Sequence, residues 1–376
     1  IKGNERVLVP RLEDAQFFYQ EDQKLTIDEY VERLKKVSFH DKISSMYDKM
    51  QRVAVIANVL GKQLNLSAEE LADLDRAAHI YKFDLTTQIV GEFAELQGIM
   101  GEIYAKLFGE KDDVATAIRE HYMPISAEGK LPQTKIGAVL AIADKLDSIM
   151  SFFAVDMIPS GSNDPYALRR QAFGIVRIIA DRGWHLPLLS IQSEIAPAFE
   201  NAEINVSFDL NKNSDEVRSF FLDRIKQLFH GQKVRHDIID AATDTRQNDI
   251  ANVLAAIQTI DDHKDDDSFK EDIEALTRVL RIAKKDNRPV SELAVDPNPS
   301  EAKMHTAVSE LIKEDQQTVS ENFAALRTLT PIISEYFDEN MIMDKNEDIR
   351  NNRLAQLSIL AHKASLIGNL DNLIVK

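Results

Sequence analysis

Arg170 and Arg177 flank Gly174 in the stretch GSNDPYALRRQAFGIVRI, residues 161–178. On a helix these three positions fall along one face, so two guanidinium groups border a spot with no side chain. Such a pair suits either RNA phosphates or carboxylates buried on a neighbouring helix. The balance here favours the second, with Asp144 or Asp147 as partner. A denser basic group follows later: Arg218, Arg224, Lys226, Lys233 and Arg235, on a helix and in the loop HGQKVRHD after it. It reads as a solvated helix face with cations complementing the C-terminal dipole. It reads equally as a phosphate-contacting edge, with Phe229 and His230 able to stack on an unpaired base. Arg278, Arg281, Lys284 and Lys285 form a second stripe open to the same two readings.

Catalytic signatures are otherwise missing. No GxxxxGK[ST] loop, GxGxxG turn, GxSxG elbow or HExxH pair occurs, so the familiar devices for holding nucleotide phosphates or activating a nucleophile are not encoded. The aspartate run 265–267 reads as a solvated turn, since open loops seldom preorganise Mg²⁺ ligands. With no cysteine there is no disulfide framework, thiolate metal centre or cysteine nucleophile. That composition fits a reducing, cytoplasmic setting.

One region does suggest chemistry. Residues 41–150, through their helix order and the segments REHY and LAIADKLD, resemble the HD superfamily of metal-dependent phosphohydrolases. In that family an adjacent His-Asp pair sits mid-site and a distant Asp closes it. Asp144 matches the closing position and His121 an auxiliary histidine. The central pair is absent: AAHIYKFDL offers Tyr81-Lys82 or Phe83-Asp84 in its place. Lys82 would put an ammonium where a dication belongs. His79 is either a displaced ligand or a half-buried structural histidine. The expectation is an HD-like fold with a degenerate site and no bound metal.

The elements that would position these groups are helical. Only 13 glycines and 11 prolines occur in 376 residues, and the chain is rich in good helix formers. Apolar stripes at helical spacing recur from Asp41 onward, as in DKISSMYDKMQRVAVIANVLGKQL. Ser67 with Glu70 forms a capping box, Asp164 with Pro165 marks a helix start, and Ser214 caps the helix that carries the basic group. TKIGAVLAIADKLDSIMSFFAV is apolar on most of its circumference and predicts a central helix. A short strand is expected at Ile204 to Phe208, and DNRPVSELAVDPNPSE reads as a linker. No apolar run reaches membrane-spanning length, and none resembles a signal peptide. The opening without Met suggests part of a longer protein. The fold class is therefore all-α, two helical bundles in series. Residues 1–38 form a lead-in, 39–195 an HD-like domain, 196–214 a linker, and 215–376 a second bundle.

The formal net charge is −17, from 62 acidic and 45 basic residues. It argues against a surface that wraps nucleic acid throughout, but not against a local basic footprint.

Several segments together resemble the beta subunit family of bacterial heterotetrameric glycyl-tRNA synthetases. They are AQFFYQED, VGEFAELQGIMGEIYA, REHYMP, LAIADKLDSI, IPSGSNDPYALRRQAFGIVRI and YFDENMIMDKNEDIRNNRLAQL. They run in the family's order along the whole chain, which looks like the C-terminal part of such a subunit. The resemblance implies a noncatalytic HD-like domain followed by a helical anticodon-binding domain. It implies tRNA(Gly) and an alpha subunit as partners in an alpha2beta2 assembly. ATP and Mg²⁺ would belong to the alpha subunit's aminoacylation site, with no cofactor held here. It also shifts the basic group 218–235 toward phosphate or anticodon contact. The alternatives are an active HD-type phosphohydrolase and a helical scaffold that docks the alpha subunit.

Overall fold

The structure is a computed structural model that describes residues 2–199, 207–245, 247–283, 298–313 and 318–375. Most of the expected strand at 204–208, most of the linker after Lys285, and Lys284 and Lys285 themselves lie outside these residues. The described chain is all-α apart from one small hairpin. Its helices are α1 (Lys2–Glu21), α2 (Ile27–Arg33), α3 (Met46–Gln63), α4 (Ala68–Ile80), α5 (Gln88–Glu92), α6 (Ile99–Leu107), α7 (Asp112–Glu120), α8 (Lys135–Ala154) and α9 (Leu168–Arg182). There follow α10 (Leu188–Ile195), α11 (Leu210–Gly231), α12 (His236–Thr243), α13 (Ile250–His263), α14 (Phe269–Ala283), α15 (Pro299–Lys313), α16 (Val319–Thr328), α17 (Thr330–Glu339) and α18 (Glu347–Ser365). Two compact units divide inside α11, Ile1–Arg224 and Ile225–Lys376.

In the first unit α8 is the central helix, as its sequence predicts: Ile136 to Phe153 are buried almost without interruption. Thr134 caps it by accepting from the Gly137 amide, and α3, α4, α7 and α9 pack around it. Ser67 and Glu70 form the expected capping box on α4. The helix expected from Asp41 begins later. Ser38–His40 and Ser44–Ser45 pair as an antiparallel hairpin, and Ser45 then caps α3 in a box with Asp48.

The helix bearing Arg170 also starts later than Pro165. Ala167 takes a left-handed conformation at φ 53°, so α9 opens at Leu168. Asp164 still caps it from a distance, accepting from the Leu168 and Arg169 amides at 2.8 and 3.0 Å. Tyr166 in the intervening turn stacks on Phe152, centroids 4.0 Å apart.

The segment expected as a lead-in is part of the unit. Asp22, after α1, is fully buried. Its carboxylate accepts from the Gln88 and Ile89 amides at 2.7 and 3.0 Å, at the start of α5, and from the Tyr104 hydroxyl at 3.0 Å. A carboxylate at a helix N-terminus satisfies amides that have no partner within the helix.

The second unit has its own core. Ser214 was expected to cap the helix entering it. α11 instead opens at Leu210, and Ser214 lies inside it with its hydroxyl donating to the Leu210 carbonyl at 2.5 Å. Asp272 on α14 is buried and accepts from Arg327 Nε at 2.7 Å and Thr330 Oγ1 at 2.8 Å. Arg327 also donates to Asp266 at 2.8 Å. The aspartate turn is thus partly a structural clamp, although Asp265 stands in solvent. Arg353 is ion-paired with buried Glu301 and donates to the Met341 carbonyl at 2.8 Å.

Asp22→Ala is expected to destabilise the protein by about 3 kcal/mol, because it removes a charged acceptor from two amides and a hydroxyl that stay buried. Urea unfolding checks this, and an unchanged midpoint would show that Asp22 does not tie α1 to α5.

Candidate functional site

The position that resembles a metal site is filled by the chain's own cations. Lys49 and Arg52 lie one turn apart on α3, both buried, and face Asp144 and Asp147 on α8. Lys49 Nζ sits 3.2 Å from Asp144 Oδ1 and 3.0 Å from Asp147 Oδ2, and donates to Ser148 Oγ at 2.9 Å. Arg52 grips Asp147 with two nitrogens, Nε at 2.6 Å and Nη2 at 3.2 Å. Tyr81, one of the residues that stand where the central pair is absent, donates its hydroxyl to Asp144 Oδ1 at 2.8 Å. Burial alone would raise the Asp144 carboxyl. The surrounding Lys49, Lys82 and Lys145 outweigh it and hold the group far below the usual carboxylate range.

Lys49 supplies the ammonium that touches Asp144, while Lys82, whose charge also acts on Asp144, lies 3.9 Å from the centre of the Tyr122 ring. One expectation is corrected. Arg170 and Arg177 do not pair with Asp144 or Asp147. Arg177 donates to the Gly129 carbonyl at 3.0 Å, and Arg182 to Pro132 and Gln133 carbonyls at 2.9 and 2.7 Å, so this face of α9 clamps the loop after Pro124. Arg170 is exposed. The room at Gly174 is used by protein: a Cβ there would lie 3.2 Å from Pro124 and 3.3 Å from Lys145.

The remaining HD-like candidates are arranged for packing. His121 is buried, and its Nδ1 donates to the Ile118 carbonyl at 2.5 Å. That bond fixes the tautomer and leaves Nε2 bare. Burial, then the nearby Lys82, keep the ring neutral. His79 faces outward toward Asp75, with Nδ1 2.8 Å from its carbonyl. Lys145 donates to the His121 and Met123 carbonyls, both at 2.9 Å, and burial pulls it down to about 7.

Asp84 accepts from the Gly98 amide at 2.5 Å, and burial lifts it to about 6. The glycines of LQGIMG serve this corner. Gly98 has φ +78°, and a Cβ on Gly101 would come within 2.9 Å of Asp84 Oδ2. Among the described residues no cluster of His, Asp and Glu has the arrangement of a metal centre. The donor set explains why: two lysines and an arginine stand among the carboxylates, and cations repel a dication.

The basic group 218–235 divides between the two units. In the first, Arg224 lies over the Phe220 ring at 5.1 Å, half-buried beside Arg169. Two of its nitrogens, Nε and Nη1, have no hydrogen-bond partner among the described residues. Burial lowers its pKa, with Asp223 and Asp164 opposing the shift and Arg169 adding to it. Arg218 is half-buried on the same helix.

In the second unit Lys226 pairs with Asp240 at 2.9 Å. Arg235 holds Asp237 through Nε and Nη2 at 3.0 and 2.6 Å. Lys233 is exposed and left-handed, φ 62°. Phe229 is not available for stacking on a base, because it is a core residue, 4% exposed. His230 is exposed and lies against His236, ring centres 4.5 Å apart.

Sequence reasoning named Asp144 and Tyr81 but missed Lys49, Arg52 and Lys145. Their signal was present: in DKMQR, Lys49 and Arg52 flank Met50 and border the buried stripe of α3, as two basic residues do when they must meet carboxylates inside.

Lys49→Met should cost about 3–5 kcal/mol, because it strands one carboxylate of a buried pair, whereas an exposed ion pair costs under about 1 kcal/mol. Chemical denaturation measures it, and a loss under about 1 kcal/mol would remove Lys49 from its assigned role. Asp84 gives a pH signature. Its folded value of about 6 lies above the ordinary 3.8, so the folded state is penalised as pH climbs through that window, and fully so above it. The stability of Asp84→Asn relative to wild type should therefore rise by about 3 kcal/mol between pH 4 and pH 7 and then level off. A difference independent of pH would contradict the raised value.

Comparison with known proteins gives the family. A family profile described as Glycyl-tRNA synthetase beta subunit matches residues 1–244. The whole chain aligns at 96% identity with a protein of Limosilactobacillus reuteri (strain DSM 20016) named "Glycine--tRNA ligase beta subunit". Proteins of the same name from Limosilactobacillus fermentum and Pediococcus pentosaceus align with all of the chain at 63% and 54% identity. In each case the chain spans 55% of the relative's length. With the profile covering residues 1–244 of 376, the chain belongs to the glycyl-tRNA synthetase beta subunit family.

Proposed function

We propose that this chain is a tRNA-recognising part of a glycine–tRNA ligase, acting in the cytoplasm beside an alpha subunit in an alpha2beta2 enzyme. Glycine activation, with its ATP and Mg²⁺, belongs to the alpha subunit. The chain holds no cofactor of its own, and its role is to bind and orient tRNA(Gly). Family membership supports this reading, and so does the chemistry of the HD-like position, where Lys49 and Arg52 already neutralise the carboxylates a metal would need.

The RNA contacts are Arg218, Arg224, Lys226, Lys233 and Arg235, with exposed Arg170 as a further backbone contact. The observation that carries the assignment is Arg224. It is half-buried between Arg169 on one side and the carboxylates of Asp223 and Asp164 on the other, and two of its nitrogens lack hydrogen-bond partners among the described residues, a cost that a joining anion would offset. A phosphate supplies the missing acceptors. Lys226 would exchange its exposed partner Asp240 for phosphate at little cost, since such surface pairs contribute under about 1 kcal/mol, whereas Arg235 is held by the largely buried Asp237 and the Ile374 carbonyl and would reach phosphate with its remaining donors. A chain of net charge −17 repels RNA except where cations gather, which confines binding to this footprint.

Binding of tRNA(Gly) should fall steeply with salt, the log–log slope counting the phosphates contacted. Lys233→Gly is a clean probe, because glycine accepts the left-handed backbone at 233 without strain. This substitution and Arg224→Gln should each weaken binding and reduce the slope by about 1. Unchanged affinity and slope in both variants would take them out of the footprint.

A further inference from the structure

Methionine is the only sulfur-bearing side chain here: the sequence has nine methionines and no cysteine. All nine lie among the described residues. Met50, Met150 and Met304 are fully buried, and Met100 is buried as well. Met46, Met123 and Met157 are half-buried. Met341 and Met343 stand apart, 70% and 55% exposed. Two large apolar side chains held in water two residues apart differ from the way the chain treats its other methionines.

The loop between α17 and α18 that carries them is pinned. Asn340 donates through Nδ2 to Ser300 Oγ at 2.7 Å and to the Tyr336 carbonyl at 2.9 Å. Arg353, ion-paired with Glu301, donates to the Met341 carbonyl at 2.8 Å. Ile342 is buried. Asp344 Oδ1 accepts from the amide of Asn346 at 2.8 Å, and Asn346 caps α18. These fastenings come from the main chain at 341 and from the side chains of residues 340, 342 and 344. Burial alternates along 341–343, so both thioethers face outward from a fixed backbone while Ile342 turns in. A sulfoxide is polar and disrupts packing where methionine is buried, whereas one that faces water is solvated.

We propose that Met341 and Met343 form a paired site of reversible oxidation, taken by peroxides ahead of every other methionine of the chain and converted to sulfoxides without loss of the fold. The thioether sulfur attacks one peroxide oxygen. An S–O bond forms, the O–O bond breaks, and after proton transfer the other oxygen leaves as water. Sulfur is oxidised by two electrons and the peroxide is reduced by two. Hydrogen peroxide is small and neutral, so the carboxylates nearby in the chain, Asp338, Glu339 and Asp344, do not repel it. A thiol-dependent sulfoxide reductase reverses the step: two thiols become a disulfide and the sulfoxide oxygen leaves as water. That enzyme must reach the sulfur, which these two positions allow. The proposal is independent of the RNA-binding reading above.

The test treats the full-length subunit with hydrogen peroxide and follows each of the nine methionines by mass spectrometry of its peptides. Met341 and Met343 should oxidise about tenfold or more faster than Met46, Met123 and Met157, and before Met50, Met100, Met150 or Met304 change at all. The urea midpoint of the doubly oxidised protein should equal that of untreated protein. Methionine sulfoxide reductases for both sulfur epimers, with dithiothreitol, should return both sites to methionine. In the double variant Met341→Leu, Met343→Leu the other seven should stay unoxidised over the time in which wild type completes its two. In urea all nine should react at one rate, because burial sets the order. Slow reaction at Met341 and Met343, as cover by another part of the subunit would give, would overturn the proposal. So would an equally fast reaction at any other methionine, a spread of rates that persists in urea, or a midpoint lowered by oxidation of these two.

Discussion

Two carboxylates inside a helical bundle set the terms for the first unit. Asp144 and Asp147 lie on the face of α8 that α3 covers, and neither could stay ionised there alone, since an isolated buried charge costs several kcal/mol even after relaxation. Lys49 and Arg52 answer them from α3, and Tyr81 from the end of α4. Three helices are therefore held in register by one set of ion pairs with all its charge compensated. Here that compensation comes from the chain's own side chains, which substitute for any bound cation.

The same substitution accounts for much of the surrounding packing. Lys145 spends its donors on the carbonyls of residues 121 and 123, just ahead of the loop that Arg177 and Arg182 clamp from α9. Gly174 exists so that Pro124 and Lys145 can approach α9. A pair of arginines that suggests a binding surface is, on the Arg177 side, a fastening for a loop.

What remains for a polyanion is sparse, and sparseness has a use. An acidic molecule binds RNA only where cations outnumber acids locally. Long-range repulsion elsewhere disfavours unspecific complexes.

Periodicity and capping chemistry made the all-α class, the central helix α8 and the boxes at Ser67 legible before any coordinates, because those signals are local. A helix shows its buried stripe every three to four residues, and a cap shows within four. Family resemblance was legible as well, from ordered segments such as LQGIMG, whose two glycines are required by the backbone at 98 and by Asp84 against 101. The sequence could not say which cation meets which carboxylate. Lys49 and Asp147 are 98 residues apart, and a lysine on an amphipathic helix looks alike whether it snorkels to water or reaches inward. It could not show that Phe229 belongs to the core or that α9 waits three residues beyond Pro165. Those facts depend on which surfaces come together. Local sequence determines where helices form and stop; long-range packing alone decides what their charged faces see.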